Sequence, residues 1–279
     1  MSKITISVDN TADLGEELLE KYGFERVCMG IVLGEEVKAC KDVTQEDVFH
    51  AVEVGGKSPK TNAALEIDYA DLFDRATADG GSIIHLSLSS NLSASHGNAV
   101  RAAKGRERVF VVDTQTLSSG TAHWPLRAHA LRESGMSAQE IVNDLTGTKT
   151  DASFIINDLK FLYKGGRVTG LKLLGANLLK IRPSLQVDLD GKLVPGKKFK
   201  GKFAAAVSDW VAYKMTDVWK DVDKSLAFLM YGDTDADILK NTEQDLRDFG
   251  FEEIIVLPIG ATMLVHSGRN TVGIAVKMK

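Results

Sequence analysis

Apolar and polar positions alternate with period two in Ile4-Thr5-Ile6-Ser7-Val8, the mark of a strand with one buried face. Leu14, Leu18, Leu19 and Tyr22 then recur at helical spacing. A second strand is predicted over roughly Arg26–Leu33. Thr44-Gln45-Glu46-Asp47 opens a helix in the manner of a capping box, and that helix carries Val48, Phe49 and Val52. Tyr69, Leu72, Phe73 and Ala76 mark the next helix, followed by a strand at Ser82–Leu86, a helix at Asn91–Lys104, a strand at Val109–Asp113 and a long helix at Ser118–Glu133. This strand–helix rhythm predicts a mostly parallel sheet with helices on both faces.

The pattern changes after about Asp151. Ser137-Ala138-Gln139-Glu140 opens one more helix before it. Leu185 to Val194 alternates around Asp190-Gly191, a strong hairpin signal. A helix over Ala204–Val222 holds Trp210, Val211, Met215 and Trp219. Strands are predicted at Leu226–Tyr231, Ile254–Leu257 and Val272–Val276, with a helix at Asp235–Phe249. The expected fold class is α/β: a parallel-sheet α/β domain over residues 1–150, then an α+β domain with antiparallel strands over 151–279, the boundary falling near 148–160. Neither an internal repeat nor a low-complexity linker interrupts the chain.

Composition narrows the class further. The 279 residues are 44% hydrophobic and 26% charged, and a net charge of −4 gives no electrostatic reason to expect nucleic acid or an anionic membrane surface. No apolar run approaches the roughly 20 residues of a membrane span. The opening MSKITISVDNT leads straight into a strand and does not read as a signal peptide. Cys28 and Cys40 are too few for a disulfide framework and lack metal-ligand spacing, so a reducing cytoplasm is the expected compartment.

Chemistry gathers at strand ends. In an open parallel sheet, ligands sit beyond the carboxyl ends of the strands. Three polar clusters fall at such ends: Asp9-Asn10-Thr11, the serine-rich Ser87–Ser95, and Asp113-Thr114-Gln115-Thr116. Asn10, Thr11, Ser93 and Ser118 could each simply cap a helix, but their shared rim favours a site. The serine cluster puts five serines in nine residues and feeds a helix, which suits a carboxylate or phosphate. No lysine or arginine lies between Thr77 and Val100, so an anion there would depend on hydroxyl and N–H donors, with helpers from elsewhere. Lys57–Ala63 is read as a polar loop that offers more hydroxyls. Lys164-Gly165-Gly166-Arg167 is either a helix stop or a cation for the site. His266 follows an apolar run and precedes a glycine. The chain has six histidines but no G-x-S-x-G, H-E-x-x-H, Walker or G-x-G-x-x-G motif, and no cofactor is expected.

Seven stretches, in order, resemble the DegV family of bacterial fatty-acid-binding proteins. Asp9-Asn10-Thr11-Ala12-Asp13-Leu14 is similar to D-S-T-A-D-L, and Thr61-Asn62-Ala63-Ala64 falls where the family has a T-S-Q-P-like loop. Ser89 to Ser95 resembles S-S-x-L-S-G-T, and Val112-Asp113-Thr114 resembles V-I-D-S. Leu162 to Val168 resembles L-x-K-G-G-R-I, Ile181 to Leu185 resembles I-K-P-I-L, and His266 to Asn270 resembles H-T-G-P-G. The chain departs from the family at Asn62-Ala63-Ala64 and at Arg269-Asn270. It departs again at Val37–Asp42, where a tyrosine-and-aspartate pattern is absent.

The resemblance implies a non-catalytic cytoplasmic carrier enclosing one long-chain fatty acid between two domains. Its carboxylate would be held by Thr61, Asn62, Ser93 and Ala94, with His266 in the same network, and Arg167, Ser118 and Thr11 would be further head-group or partner contacts. The implied partners are a fatty acid kinase catalytic subunit that makes an acyl phosphate, an acyl-phosphate acyltransferase that feeds phospholipid synthesis, and transiently the membrane. Burying a chain of roughly 16 carbons gains about 0.8 kcal/mol per methylene, provided the carboxylate is satisfied at the mouth. Two alternatives stay open: a hydrolase or acyltransferase using Ser93 or Thr61 with His266, and a carrier of another anionic lipid.

Overall fold

The computed structural model describes residues 3–54, 58–157, 159–168 and 181–279; of the segments read above, Met1, Ser2 and Lys57 lie outside them. The first half runs β1 (Ile4–Asp9), α1 (Gly15–Tyr22), β2 (Glu25–Val27), β3 (Gly30–Leu33), β4 (Glu36–Ala39), α2 (Gln45–Val54) and β5 (Lys60–Asn62). It continues through α3 (Glu66–Thr77), β6 (Ser82–Ser87), α4 (Ser95–Ala103), β7 (Val109–Asp113), α5 (Ser119–Glu133) and α6 (Ala138–Leu145). The second half holds β8 (Thr150–Ile156), α7 (Lys160–Gly165), β9 (Ile181–Val187), β10 (Leu193–Lys200) and α8 (Phe203–Tyr213). β11 (Val222–Gly232), α9 (Ala236–Phe249), β12 (Glu253–Pro258), α10 (Ala261–Ser267) and β13 (Thr271–Met278) complete it.

Strands β2-β1-β6-β7 form a parallel sheet, as the strand–helix rhythm requires. Strands β10-β9-β8-β13-β11-β12 form a second sheet that is antiparallel except where β11 meets β12. The mixed α/β class is therefore as expected, and every strand of the second sheet lies after Lys149. The hairpin β9–β10 turns at Asp188–Lys192, where Asp188 Oδ1 accepts the Asp190 and Lys192 N–H groups. Both sequence-marked helix starts are present. Asp47 accepts from the Thr44 N–H at 2.8 Å, and Ser137 and Glu140 cap each other before α6.

Helix α5 lies between the two sheets and has little amphipathic contrast. Ser119 through Pro125 are all buried, because one side meets the parallel sheet and the other meets β8 and β13. Small residues make this possible. A Cβ on Gly120 would stand 2.7 Å from Ala152 Cβ, and closer still to Thr116 Oγ1. One apolar core runs from Ile6 and Ile84 through Ala122 and Ala128 to Phe154, Phe228 and Ala275. A second core, with Trp210, Leu246 and Phe251, fills the far face of the six-stranded sheet under α8 and α9.

Four readings of the sequence need correction. The strand expected over Arg26–Leu33 is two strands in two sheets, since β3 leaves the parallel sheet to join β4 and β5 in an antiparallel one. The break falls at Cys28-Met29, where the Met29 N–H is donated to Asn10 Oδ1 at 2.9 Å instead of to a strand neighbour. The polar loop before Ala63 contains a strand, β5, which carries Thr61 opposite Ile31. The helix expected over Ala204–Val222 gives way after Tyr213 to a π-helical turn, Lys214–Val218, and Val222 already belongs to β11. There the buried Lys214 Nζ donates to Asp151 Oδ2 at 2.6 Å, and the Trp219 indole donates to the same oxygen. Finally, the cysteines are bonded to each other, Cys28 to Cys40, across a Cα separation of 5.4 Å.

Gly120→Ala tests the packing of α5. Better helix propensity gains about 1 kcal/mol, but the two backbones must part to admit the methyl group. We expect a net loss of about 1–3 kcal/mol, read as a lower urea midpoint at unchanged m-value.

Candidate functional site

The rim is built on buried carboxylates. Asp9, at the end of β1, is sealed from solvent; its Oδ1 accepts the Tyr69 hydroxyl at 2.6 Å and its Oδ2 accepts the Leu88 N–H at 2.9 Å. Burial and the nearby Asp9 charge push the Tyr69 hydroxyl above its ordinary pKa, so it remains a donor. Ser7, on the same face of β1, meets His85 Nδ1 at 2.9 Å, and His85 Nε2 lies 3.5 Å from Asp9. This Ser–His–Asp string has no solvent access and serves the core.

Asp113, at the end of β7, accepts the Ser90 and Gln115 N–H groups, and the Ser89 N–H goes to the Thr116 carbonyl at 3.0 Å. The serine loop is thus pinned at both strand ends before α4 begins at Ser95, four residues later than the sequence suggested. Its hydroxyls divide by role. Ser87 serves His96 and the Val112 carbonyl; Ser89 donates to the Gly191 carbonyl at 2.8 Å; Ser93 accepts the Ser95 N–H at 3.2 Å. Of the five, Ser90 and Ser93 line the cavity described next.

The facing wall comes from β5, α7 and α10. Thr61 Oγ1 and His266 Nε2 are 3.0 Å apart. Burial, assisted by the neighbouring Arg167 charge, pushes His266 down to about 4, so the ring is neutral near pH 7. Its Nδ1 is buried without a hydrogen-bond partner among the described residues. The C-terminal end of α7 presses against that atom, and a Cβ on Gly165 would collide with it. Gly166 turns through the left-handed region, and Arg167 donates to the Gly165 carbonyl at 2.7 Å while facing the cavity. Asn10 ties the walls together: its carboxamide oxygen holds the Met29 N–H and its nitrogen donates to Thr262 Oγ1 at 2.7 Å.

These walls enclose a cavity of about 580 Å³. Thr11, Thr61, Asn62, Ser93, Ala94, Arg167 and His266, all singled out in the sequence, line it together. Ser118 does not. It lines a narrower void of about 40 Å³ that shares Leu117, Leu193, Met263 and His266 with the first and is otherwise walled by Phe154, Ile156, Leu162, Leu185, Ile259 and Ser267. Polar groups therefore converge at the outer end and apolar side chains continue inward. A larger groove of about 940 Å³ lies outside β2 and β4, but Glu16, Glu20, Asp68, Asp71, Arg26 and Arg75 make it an open charged surface.

Met29, Leu117, Leu193, Thr262 and Met263 also line the cavity and were not singled out beforehand. Only Thr262, a hydroxyl at the start of an apolar run, carried any signal. Asp13, inside the stretch Asp9–Leu14, carries no signal of its own in the sequence. It is buried, takes the left-handed conformation at φ 52°, and accepts the Ser118 hydroxyl and, at 3.0 Å, the Gly260 N–H. It therefore joins the start of α5 to the start of α10, the helix of His266. Burial outweighs both hydrogen bonds and raises Asp13 to about 7.

A polar mouth leading to an apolar interior is the lining that a small-molecule pocket for an amphiphile would need. The family model for an uncharacterised protein of the DegV family matches residues 3–279, and the chain belongs to the DegV family. It is 27% identical over 286 residues to the fatty acid-binding protein of Thermotoga maritima, covering 99% of this chain and 98% of that one. A DegV domain-containing protein of Deinococcus radiodurans is 29% identical over 280 residues, with 98% of each chain covered. The solved structure of a fatty-acid-binding DegV family protein from Thermus thermophilus superposes with a TM-score of 0.86 at 26% identity, covering 99% of this chain and all of that one. Among the described residues, no helix is long and apolar enough to cross a membrane.

Asp13 gives a test of this linkage. It ionises less readily in the folded chain, at about 7, than in the unfolded one, near 3.8, so the folded state holds an extra proton between those values. Its contribution to stability is therefore full below about 4 and is lost as pH rises through about 7. Asp13→Asn keeps the shape and the acceptor for Gly260. Urea midpoints at about pH 5 and about pH 8 should lie closer together, with the gain at the higher pH, than in the parent protein.

Proposed function

We propose that the protein binds one long-chain fatty acid, with the carboxylate at the polar mouth and the chain directed past Leu117, Leu193 and Met263 toward Phe154 and Ile156. The observation that carries this reading is the neutral Thr61–His266 pair at the junction of the polar and apolar walls. In the Nε2–H tautomer His266 donates to Thr61 Oγ1, and the threonine proton is then free to meet a carboxylate oxygen. Ser93, with Asn62 and Ala94 on either wall, completes a set of uncharged donors, while Arg167 adds a flanking positive charge. The homologues named as fatty-acid-binding proteins support the same ligand.

The hydrolase reading is weaker. Ser93 is bonded to Ser95 and to no histidine among the described residues, so no base is placed to take its proton. Thr61 does touch a histidine, but His266 at about 4 is a poor base near pH 7, and no described carboxylate orients its Nδ1. We therefore read the chain as a carrier without bond-making activity of its own. It presents the exposed carboxylate to a separate fatty acid kinase, whose acyl phosphate feeds an acyltransferase of phospholipid synthesis. This carrier works in the cytoplasm with transient membrane contact, its two domains, residues 1–150 and 151–279, closing on the ligand.

Organic extraction of the purified protein followed by mass spectrometry should recover a fatty acid near one equivalent. In Thr61→Ala/Ser93→Ala, two hydrogen bonds to a charged group are gone, each worth about 1.5–3 kcal/mol, so affinity should fall by about 100-fold or more. No lipid in either protein, before or after incubation with added fatty acids, sinks the carrier. Turnover of an ester or acyl phosphate by the protein alone would revive the hydrolase. Gly165→Ala checks the role of His266: its methyl group displaces the imidazole, and binding should weaken about 10-fold, with the fold intact by circular dichroism.

A further inference from the structure

The bonded pair Cys28–Cys40 is not used by the binding chemistry, yet it sits next to the site. Cys28 occupies the break between β2 and β3, and Cys40 follows β4 directly. The β3–β4 ladder runs from Gly30 opposite Ala39 to Leu33 opposite Glu36, so the bridge closes the hairpin where the ladder stops. The other edge of β3 pairs with β5, Gly30 opposite Asn62 and Ile31 opposite Thr61. Between Cys28 and that ladder lies Met29, which lines the cavity and gives its N–H to Asn10. The bridge is therefore one residue from the cavity wall and one strand from the threonine that holds the ligand in the reading above.

Two features separate this pair from a permanent structural bridge. Both residues are only half-buried; Cys28 opens onto the large groove outside β2 and β4, and Cys40 onto a smaller one of about 330 Å³. Lys41 and Arg26 line both grooves, and Arg26 is already paired with Glu16. Lys41, next to Cys40 in the chain, puts a positive side chain on the grooves through which a small thiol reaches the bridge. In addition, the hairpin is held by its own ladder, so the reduced chain keeps its fold and can be oxidised again.

We propose that Cys28 and Cys40 form a reversible redox site that exchanges with a low-molecular-weight thiol–disulfide couple, and that its state sets how firmly the Thr61 strand is held against the cavity. In the forward direction the Cys40 thiolate attacks one sulfur of the small disulfide and expels a small thiolate. The Cys28 thiolate then attacks Cys40 Sγ in the mixed disulfide, forms the internal bond and expels the second small thiolate. The pair loses two electrons and two protons, and the small disulfide becomes two thiols. Oxidised, the hairpin is closed and β3 and β5 are rigid; reduced, the ladder frays from Gly30 toward Thr61. The effect on ligand release rests on the fatty-acid reading, whereas the effect on the strands does not.

The test equilibrates the full-length protein in glutathione buffers from reducing to oxidising and counts free thiols by maleimide labelling and intact mass. Two labels should be lost together in a single transition. Amide exchange at Ile31 and Thr61 should be several-fold slower in the oxidised protein, and Cys28→Ser/Cys40→Ser should show the fast rate in every buffer. Release of a fluorescent fatty acid should be several-fold faster from the reduced protein and from the double variant. Two maleimide-reactive thiols in the most oxidising buffer, or a bridge that resists reduction without denaturant, overturns the redox site. Equal amide exchange in the two states overturns the coupling. If no fatty acid binds in any buffer, the reading of the cavity is wrong, while the thiol count still decides the redox site and the exchange contrast still decides its coupling to the strands.

Discussion

A sealed carboxylate fixes the geometry on which the site depends. Asp9 cannot reach water, so its oxygens must be satisfied inside, and the Tyr69 hydroxyl and the Leu88 N–H do this. The second bond sets where the chain leaves β6 and hence where the serine loop starts. Asp113 repeats the device on the other side of β6, through Ser90 and Gln115. The loop that faces the cavity thus needs no secondary structure of its own. Two strand ends hold it, and the parallel sheet fixes the distance between them.

The same economy explains why the polar clusters hold so few cations. A lysine buried beside a carboxylate would have to be desolvated with it, and truncating either partner would leave a costly charge. Hydroxyl and N–H donors avoid that penalty and leave part of the carboxylate free. The neutral His266 extends this logic, since burial has removed a charge that the ring would otherwise carry in mild acid. Arg167, just past Gly166, is the one cation among the cavity's described lining residues and stands exposed at its margin, where it keeps much of its hydration.

Much of this was legible in the residues themselves. Alternation and helical spacing marked most strands and helices, because amphipathic burial is a local property. Strand-end hydroxyls marked the rim of the cavity, because the carboxyl ends of parallel strands open into loops on one side of the sheet. What escaped depended on contacts distant in sequence. Nothing near Met29 reveals that its N–H leaves the sheet for Asn10, and the apolar run Val27 to Leu33 reads as one strand. Tyr213 does not announce a π-helical turn; Asp151, far back in the chain, draws in Lys214 and Trp219. The cysteine pair was obscured by its number: two cysteines imply no framework, and only the β3–β4 hairpin brings them together. Thr262 and Asp13 acquire their roles from partners 252 and 105 residues away, Asn10 and Ser118.

The cavity exists because two unlike surfaces meet. The parallel sheet supplies strand ends, which are polar by necessity, since each strand must hand its unsatisfied groups to loops and helix starts. The second sheet supplies strand faces, such as Phe154, Ile156 and Leu185, which are apolar because they would otherwise pack on a core. Helix α5 spaces the two, and the β9–β10 turn is tied back to the serine loop through Ser89 to the Gly191 carbonyl and Asn91 to the Asp190 carbonyl. Gly191 is required at that crossing, since it takes φ 77° and a Cβ there would run into Ser89 and the Gln115 backbone. A head group and a hydrocarbon tail make the same pair of opposed demands as this seam, so an amphiphile matches it better than a wholly polar or wholly apolar ligand would.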